Sequence, residues 1–81
     1  MARVSGQTDS EHVLKALGGA IRAMRKAIGL SQEALADAAG IDRSHMGKIE
    51  RGERNVTMLN IARIAAALDA QPSEILHAAG L

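Results

Sequence analysis

Apolar side chains recur along this chain in short blocks whose spacing is typical of α-helices. The first block lies on one face of a helix and consists of Val13, Leu17, Ile21, Met24 and Ile28. Ser10 can cap the start of this helix, so residues 1–9 are expected to form a flexible arm. Gly29 predicts the end of the helix, because glycine accepts the left-handed backbone conformation that closes many helices.

Four shorter helices are predicted after the first. Their ends are marked by residues that favour helix starts or stops, namely Ser31 and Gly40, Asp42 and Gly52, Thr57, and Pro72 with Ser73. Their apolar positions predict a buried set of Leu35, Ala38, Ala39, Ile41, Met46, Ile49, Met58, Ile61, Ile64, Ala65 and Leu68. The whole pattern predicts an all-α, compact five-helix bundle over residues 10–81. Gly18 and Gly19 interrupt the first helix, which indicates either close approach of another helix or a mild local kink.

The composition limits the class of protein. With 81 residues the chain is one small domain, and its 47% hydrophobic content is too high for a disordered tail. The absence of aromatic residues and cysteine disfavours strands, disulfides and thiolate metal sites. No apolar run is long enough for a signal peptide or a membrane span, so we expect a cytoplasmic protein without a membrane partner. The net charge of +1 does not decide whether a nucleic acid is a partner.

The second and third helices have the spacing of a helix-turn-helix unit. Ala36, four residues before Gly40, supplies the small side chain that two crossing helices need where they touch. Ile41, Met46 and Ile49 can then anchor the third helix on the bundle. The polar outer face that remains consists of Arg43, Ser44, Gly47, Lys48 and Arg51. Such a face is typical of a recognition helix that enters the DNA major groove.

The stretch GLSQEALADAAGIDRSHMGKIERGERNVTMLNIARIAAAL resembles the phage repressor and Cro family, also called the XRE-type helix-turn-helix family. The resemblance covers roughly residues 18–76 and implies a lambda-repressor-like five-helix bundle. Residues 31–57 also resemble the controller proteins of restriction–modification systems, which are small homodimeric regulators. The resemblance therefore implies a transcription regulator that binds double-stranded DNA.

Matched positions imply roles for individual residues. Base reading is expected from Arg43, Ser44, His45 and Lys48 of the recognition helix, at about residues 43–51. Contacts with the DNA backbone are expected from Gln32, Arg51, Arg54, Asn55 and Thr57. Arg25 and Glu50 are expected to form a buried or half-buried structural ion pair. General chemistry agrees, because arginine can bind guanine through two hydrogen bonds and helix N-termini attract phosphates.

Each role has a simpler alternative. Arg43 and Lys48 fit an ordinary solvated face, and His45 fits a surface residue without a base contact. Gln32 fits a capping partner for Ser31 or a solvent-exposed side chain. Arg54 can instead pair with a nearby acidic residue, either Glu53 or Glu50.

The expected function is that of a sequence-specific regulator, either a repressor or a controller protein, which binds pseudo-palindromic operators as a homodimer. Helix 5 and its surroundings offer an apolar surface for the second copy, formed by Leu59, Ile75, Leu76, Ala79 and Leu81. No enzyme motif, cofactor motif, metal-ligand spacing or small-molecule effector domain is evident. The alternative is an antitoxin or adaptor module whose main partner is another protein.

Gly47 occupies an unusual position within the predicted recognition helix, where glycine costs roughly 1 kcal/mol relative to alanine. The spacing places it on the outward face, beside Lys48. We expect the missing side chain to let the helix lie close to DNA, while a tolerated surface glycine is the alternative.

Overall fold

The computed structural model describes residues 6–81, with side chains from residue 12, and this part of the chain is entirely helical apart from its turns. The helices are α1 (Gly6–Ala27), α2 (Gln32–Ala39), α3 (Arg43–Glu50), α4 (Met58–Ala67) and α5 (Pro72–Ala78). The predicted all-α, five-helix fold is confirmed. None of the described helices is long and apolar enough to span a bilayer.

The first helix begins earlier than predicted. Ser10 is not its start, because α1 already begins at Gly6. Residues 7–17 contain neither glycine nor proline, so nothing in that stretch stops the helix from extending by another turn. Residues 6–9 of the expected arm are therefore helical, and residues 1–5 lie outside the described part of the chain.

The other helix ends largely follow the predicted caps. Gly29 has a φ of 75°, and the amide of Leu30 donates to the carbonyl of Arg25, which closes α1. The Ser31 hydroxyl accepts a hydrogen bond from the amide of Ala34, and the Thr57 hydroxyl accepts one from Asn60, both at 3.0 Å. These bonds satisfy amides that have no partner within α2 and α4.

The core lies where the five helices meet and contains no aromatic side chain. Its fully buried large side chains are Ile21, Leu35, Met46, Ile49, Ile61, Ile64 and Ile75. Ala38 and Met58, which were predicted to be buried, are exposed, and so are Val13 and Ile28 on the apolar face predicted for the first helix.

Two of these positions, Ile28 and Met58, lie at helix ends, and the other two lie within helices. Val13 lies one turn before Leu17, the first buried residue among the described side chains of α1, and Ile28 follows the last residue of that helix. Met58 is the first residue of α4. Ala38 is exposed because α2 buries the face that carries Leu35, Ala36 and Ala39 instead.

The glycines of α1 have different surroundings. A Cβ added to Gly18 would collide with the carbonyl oxygen of Ile49 and lie 2.6 Å from that of Glu50. At Gly19 an added Cβ would meet nothing within 4 Å. Gly18 therefore permits close approach of α1 to the end of α3. Close approach, rather than a mild local kink, explains the glycine at this position.

Candidate nucleic-acid interface

The inner face of α3 is anchored as the sequence predicted. Ile41, Met46 and Ile49 are all buried, and Ala36 of α2 is 1% exposed. The amide of Ile41 donates to the carbonyl of Ala36 at 2.9 Å, across the turn in which Gly40 has a φ of 69°. Since one side of α3 is fixed in the core, its opposite side is held in solvent.

Asp42 caps the beginning of α3. Its Oδ2 accepts hydrogen bonds from the amides of Ser44 and His45 at 3.1 and 3.4 Å, and another from the Ser44 hydroxyl. The hydroxyl hydrogen bond is the main reason that the pKa of Asp42 lies below its ordinary value, followed by the two amide bonds. Because the Ser44 hydroxyl donates its hydrogen bond to Asp42, it presents only acceptor lone pairs to a ligand.

The outer side of α3 borders a shallow groove of about 450 Å³. Arg43 and Ser44 are exposed, whereas His45 and Lys48 are half-buried. The groove is lined by Gln32, Asp42, Arg43, Ser44, Gly47, Lys48 and Arg51. Three of the four residues predicted to read bases therefore line one groove, and His45 does not.

Gly47 lies on the outer side of α3, as its spacing predicted, although it is not open to solvent. It lines the groove but is buried, because side chains from two directions cover it. A Cβ at this position would lie 3.3 Å from Oε1 of Gln32 and 3.2 Å from Nη1 of Arg51. The missing side chain thus gives room to Gln32 and Arg51, a constraint that neither sequence explanation considered.

The predicted ion pair between Arg25 and Glu50 is present and bidentate. Nε and Nη2 of Arg25 donate to the two Glu50 carboxylate oxygens at 2.8 and 2.9 Å. The hydrogen bond with Glu50 raises the pKa of Arg25, and the Coulomb attraction of Glu50 adds to it against the effect of burial. The third nitrogen, Nη1, donates to the carbonyl of Leu30 at 3.0 Å, so this pair ties α1 to both α3 and the turn before α2.

Gln32 joins this network. Its Nε2 donates to Oε1 of Glu50 at 3.1 Å, and the residue is half-buried. Gln32 is thus partly exposed, and its side chain bonds to Glu50 rather than to Ser31, whose hydroxyl accepts from Ala34. Its Oε1 is not used in this bond and lies at the groove over Gly47.

Most residues between α3 and α4 are exposed. Nε and Nη2 of Arg51 donate to the Glu53 carboxylate at 3.0 and 3.3 Å, and this contact lowers the pKa of Glu53. Arg54, Asn55 and Thr57 are exposed. In the described chain the acidic partners considered for Arg54 pair instead with other arginines, Glu53 with Arg51 and Glu50 with Arg25.

One of the expected dimer residues belongs to the core. Ile75 is fully buried within the protomer, so its inclusion in the dimer surface is wrong. It packs inward because it lies on the side of α5 that faces the bundle. Leu59 and Leu81 are 59% and 54% exposed, and Leu76 and Ala79 are half-buried. An open groove of about 810 Å³ between α1 and α5 includes Leu76 and Leu81 in its lining.

A cavity of about 350 Å³ lies where α1, α2 and α3 meet. It is lined by Arg22, Arg25, Gln32, Glu50 and Arg51. No role was predicted for Arg22 from the sequence. Its position three residues before Arg25 was the available signal, because such residues are neighbours on a helix surface.

Comparison with known proteins gives a consistent set of matches. A family model described as helix-turn-helix matches residues 21–75. Control protein C.SmaI of Serratia marcescens is 39% identical over 61 residues, which are 75% of this chain and 73% of that protein. The crystal structure of the restriction-modification controller protein C.AhdI from Aeromonas hydrophila has 50% identity and a TM-score of 0.76, covering 76% of this chain and 94% of that one.

A regulator of clp genes also has a similar structure. The clp gene regulator ClgR from Corynebacterium glutamicum has 29% identity and a TM-score of 0.82, covering 84% of this chain and 72% of that one. Together with the preceding matches, this finding confirms the resemblance that the sequence indicated.

Proposed function

The chain belongs to the helix-turn-helix family, and from this premise we propose that it is a sequence-specific DNA-binding regulator of transcription. The observation that carries the proposal is the two-sided construction of α3. Its inner side is fixed by Ile41, Met46 and Ile49, while its outer side presents Arg43 and Lys48 beside an open groove. A rigid helix with a basic, solvated side is what major-groove recognition requires.

Arg43 is proposed as the main base-reading residue. It is exposed at the beginning of α3, and a guanidinium can donate two hydrogen bonds to O6 and N7 of guanine. Lys48 adds a point charge on the same side, and Ser44 offers an acceptor to a base amino group. His45 lies at the edge of this set, since it does not line the groove.

The DNA backbone is proposed to contact residues on both sides of α3. Gln32 lies at the start of α2, where free amides favour phosphate. Arg54, Asn55 and Thr57 are exposed before α4, whose N-terminus supplies a second such position. Arg51 lies between these two regions and completes the proposed backbone set.

The test is selection of bound duplexes from a random pool, followed by affinity measurements on the selected sequence. Arg43→Ala is expected to weaken binding by about 1–3 kcal/mol and to relax preference at one base pair. Lys26→Ala is a matched control, because Lys26 is an exposed cation of α1 that does not line the groove. Equal losses for both variants would contradict base reading by Arg43.

We further propose a homodimer that binds two half-sites about 34 Å apart, one turn of DNA. Support comes from the exposed Leu59 and Leu81 and from the groove between α1 and α5, which offer apolar area to a second copy. Sedimentation at micromolar concentration tests this, with Leu81→Glu expected to favour monomers. An 8.5 kDa species alone for the unsubstituted chain would contradict the dimer.

The similarity to C.SmaI and C.AhdI supports a role as controller of a restriction–modification system, acting in the cytoplasm where its DNA lies. Neighbouring genes for an endonuclease and a methyltransferase would support this role. The direction of regulation would follow from where the operator lies relative to the promoter. Tight binding to a co-encoded protein, with no salt-dependent DNA binding, would favour the adaptor alternative instead.

A further inference from the structure

The cavity where α1, α2 and α3 meet adjoins the groove beside the recognition helix. Gln32 and Arg51 line both depressions, so these two side chains form a shared rim. The groove continues toward Arg43 and Lys48, whereas the cavity continues toward Arg22 of α1. A DNA strand whose bases face α3 would therefore have its backbone beside this cavity.

The charged residues of the cavity differ in whether they have an ion-pair partner. Arg25 and Glu50 are paired with each other, and their side chains are only 10% and 2% exposed. Oε1 of Glu50 also accepts the hydrogen bond from Gln32. Arg51 donates two of its nitrogens to Glu53.

Arg22 differs from the other two arginines of the cavity. It is exposed, and among the described residues no carboxylate lies within ion-pair distance of its guanidinium. A guanidinium without such a partner keeps its N–H donors available for an anion from outside. Because the charge of Glu50 is balanced by its ion pair with Arg25, the cavity is net positive toward such a ligand.

We propose that Arg22 binds a backbone phosphate of the operator, with the cavity holding the phosphate oxygens against the shared rim. This inference rests on the proposed DNA-binding function. Arginine suits the role because its planar donors match two phosphate oxygens. Arg22 would thus position the strand and add affinity without changing which bases α3 selects.

The test measures operator affinity of the full chain against salt concentration for the unsubstituted protein, Arg22→Ala and Lys26→Ala. Lys26 is the matched control, since it is an exposed cation of the same helix outside the cavity. Loss of one phosphate contact should reduce the slope of log affinity against log salt by about 0.9 per bound subunit. At 0.1 M salt this corresponds to roughly tenfold weaker binding per subunit. Lys26→Ala should retain the original slope.

Other outcomes would overturn the proposal. If both variants have the original slope, Arg22 binds no phosphate. If Arg22→Ala weakens binding with an unchanged slope, its effect is indirect. Base preference, measured by substituting operator positions, should be the same for Arg22→Ala and the unsubstituted protein, and a changed preference would argue against a phosphate contact.

The unsubstituted chain separates this inference from the proposed function. If it shows no salt-dependent DNA binding at all, the DNA-binding proposal fails and Arg22 has no phosphate to bind. If it binds DNA normally but Arg22→Ala behaves like Lys26→Ala, only the role of Arg22 is overturned. Thermal unfolding of both variants, expected to be unchanged, excludes loss of the fold.

Discussion

The two ends of α3 are held in different ways. At its beginning, Asp42 and Ser44 are exposed, and they are stabilised by hydrogen bonds between residues close in sequence. At its end, Glu50 is buried against Arg25, and the backbone approaches Gly18 without room for a side chain. The beginning of the helix is thus locally stabilised, whereas its end is positioned by contacts distant in sequence.

This difference separates the two tasks of a recognition helix. The buried end fixes the angle and height of α3 on the bundle, so substitutions there should act on folding. The exposed beginning carries the side chains that face a ligand, so substitutions there should act on binding with little effect on folding. Substitutions taken in order from the end of α3 to its beginning test this difference.

Glu50→Ala is expected to have the largest effect. It would leave Arg25 buried without its partner, and breaking a buried ion pair typically costs about 3–5 kcal/mol of unfolding free energy. Glu53→Ala is the matched control, because Glu53 also pairs with an arginine but is exposed. Urea unfolding should show little change for the control. Similar losses of unfolding free energy for both variants would mean that the buried ion pair stabilises the fold no more than the exposed one.

Gly18→Ala and Gly19→Ala should shift stability in opposite directions. The new Cβ at Gly18 would collide with backbone oxygens, which cannot rotate away, so we expect a loss of about 1–3 kcal/mol. At Gly19 it would meet nothing, so helix propensity should give a gain of up to about 1 kcal/mol. Thermal unfolding compares the two directly. A gain for both would show that α1 can move away from α3 without cost.

Gly47→Ala probes the middle of α3 and should change stability less. Helix propensity favours alanine, but the added Cβ would press on the ends of the Gln32 and Arg51 side chains. Both ends can shift, although Gln32 is held by its bond to Glu50, so we expect a gain below about 0.5 kcal/mol. The gain should be smaller than that of Gly19→Ala by the same thermal measurement. Equal gains would mean that the cover over Gly47 is unimportant.

The same contrast explains which features the sequence predicted. Helix caps and the inner face of α3 were predictable because they depend on residues close in sequence, as at Gly40 and Met46. The Arg25–Glu50 pair spans 25 positions and was expected only through a family resemblance. Ile75 was misassigned because an apolar residue on a short helix fits either a core or a dimer surface until the packing is known.

The covering of Gly47 could not be read from helical spacing. Periodicity describes which side of α3 a residue occupies, but not that Gln32 crosses from α2 to reach Glu50. The cavity beside Arg22 was missed for the same reason, since its lining comes from three helices. Features that require several elements to meet are thus the part of the site that sequence alone does not supply.

Asp42→Asn should have the smallest effect and one that depends on pH. Hydrogen bonds from the Ser44 hydroxyl and the amides of His45 and Ser44 hold the pKa of Asp42 below its ordinary value. The Asp42 carboxylate therefore binds a proton more readily in the unfolded chain than in the folded chain. The stability that the carboxylate contributes is therefore fully present above the ordinary pKa of aspartate, and it is lost as the pH falls through the lower, folded-state pKa. Asparagine can still cap the helix but gains no proton. The stability advantage of the unsubstituted protein, measured by urea unfolding, should thus be constant near neutral pH and shrink below about pH 4. A constant difference down to strongly acidic pH would show that the charge of Asp42 does not stabilise this end of α3.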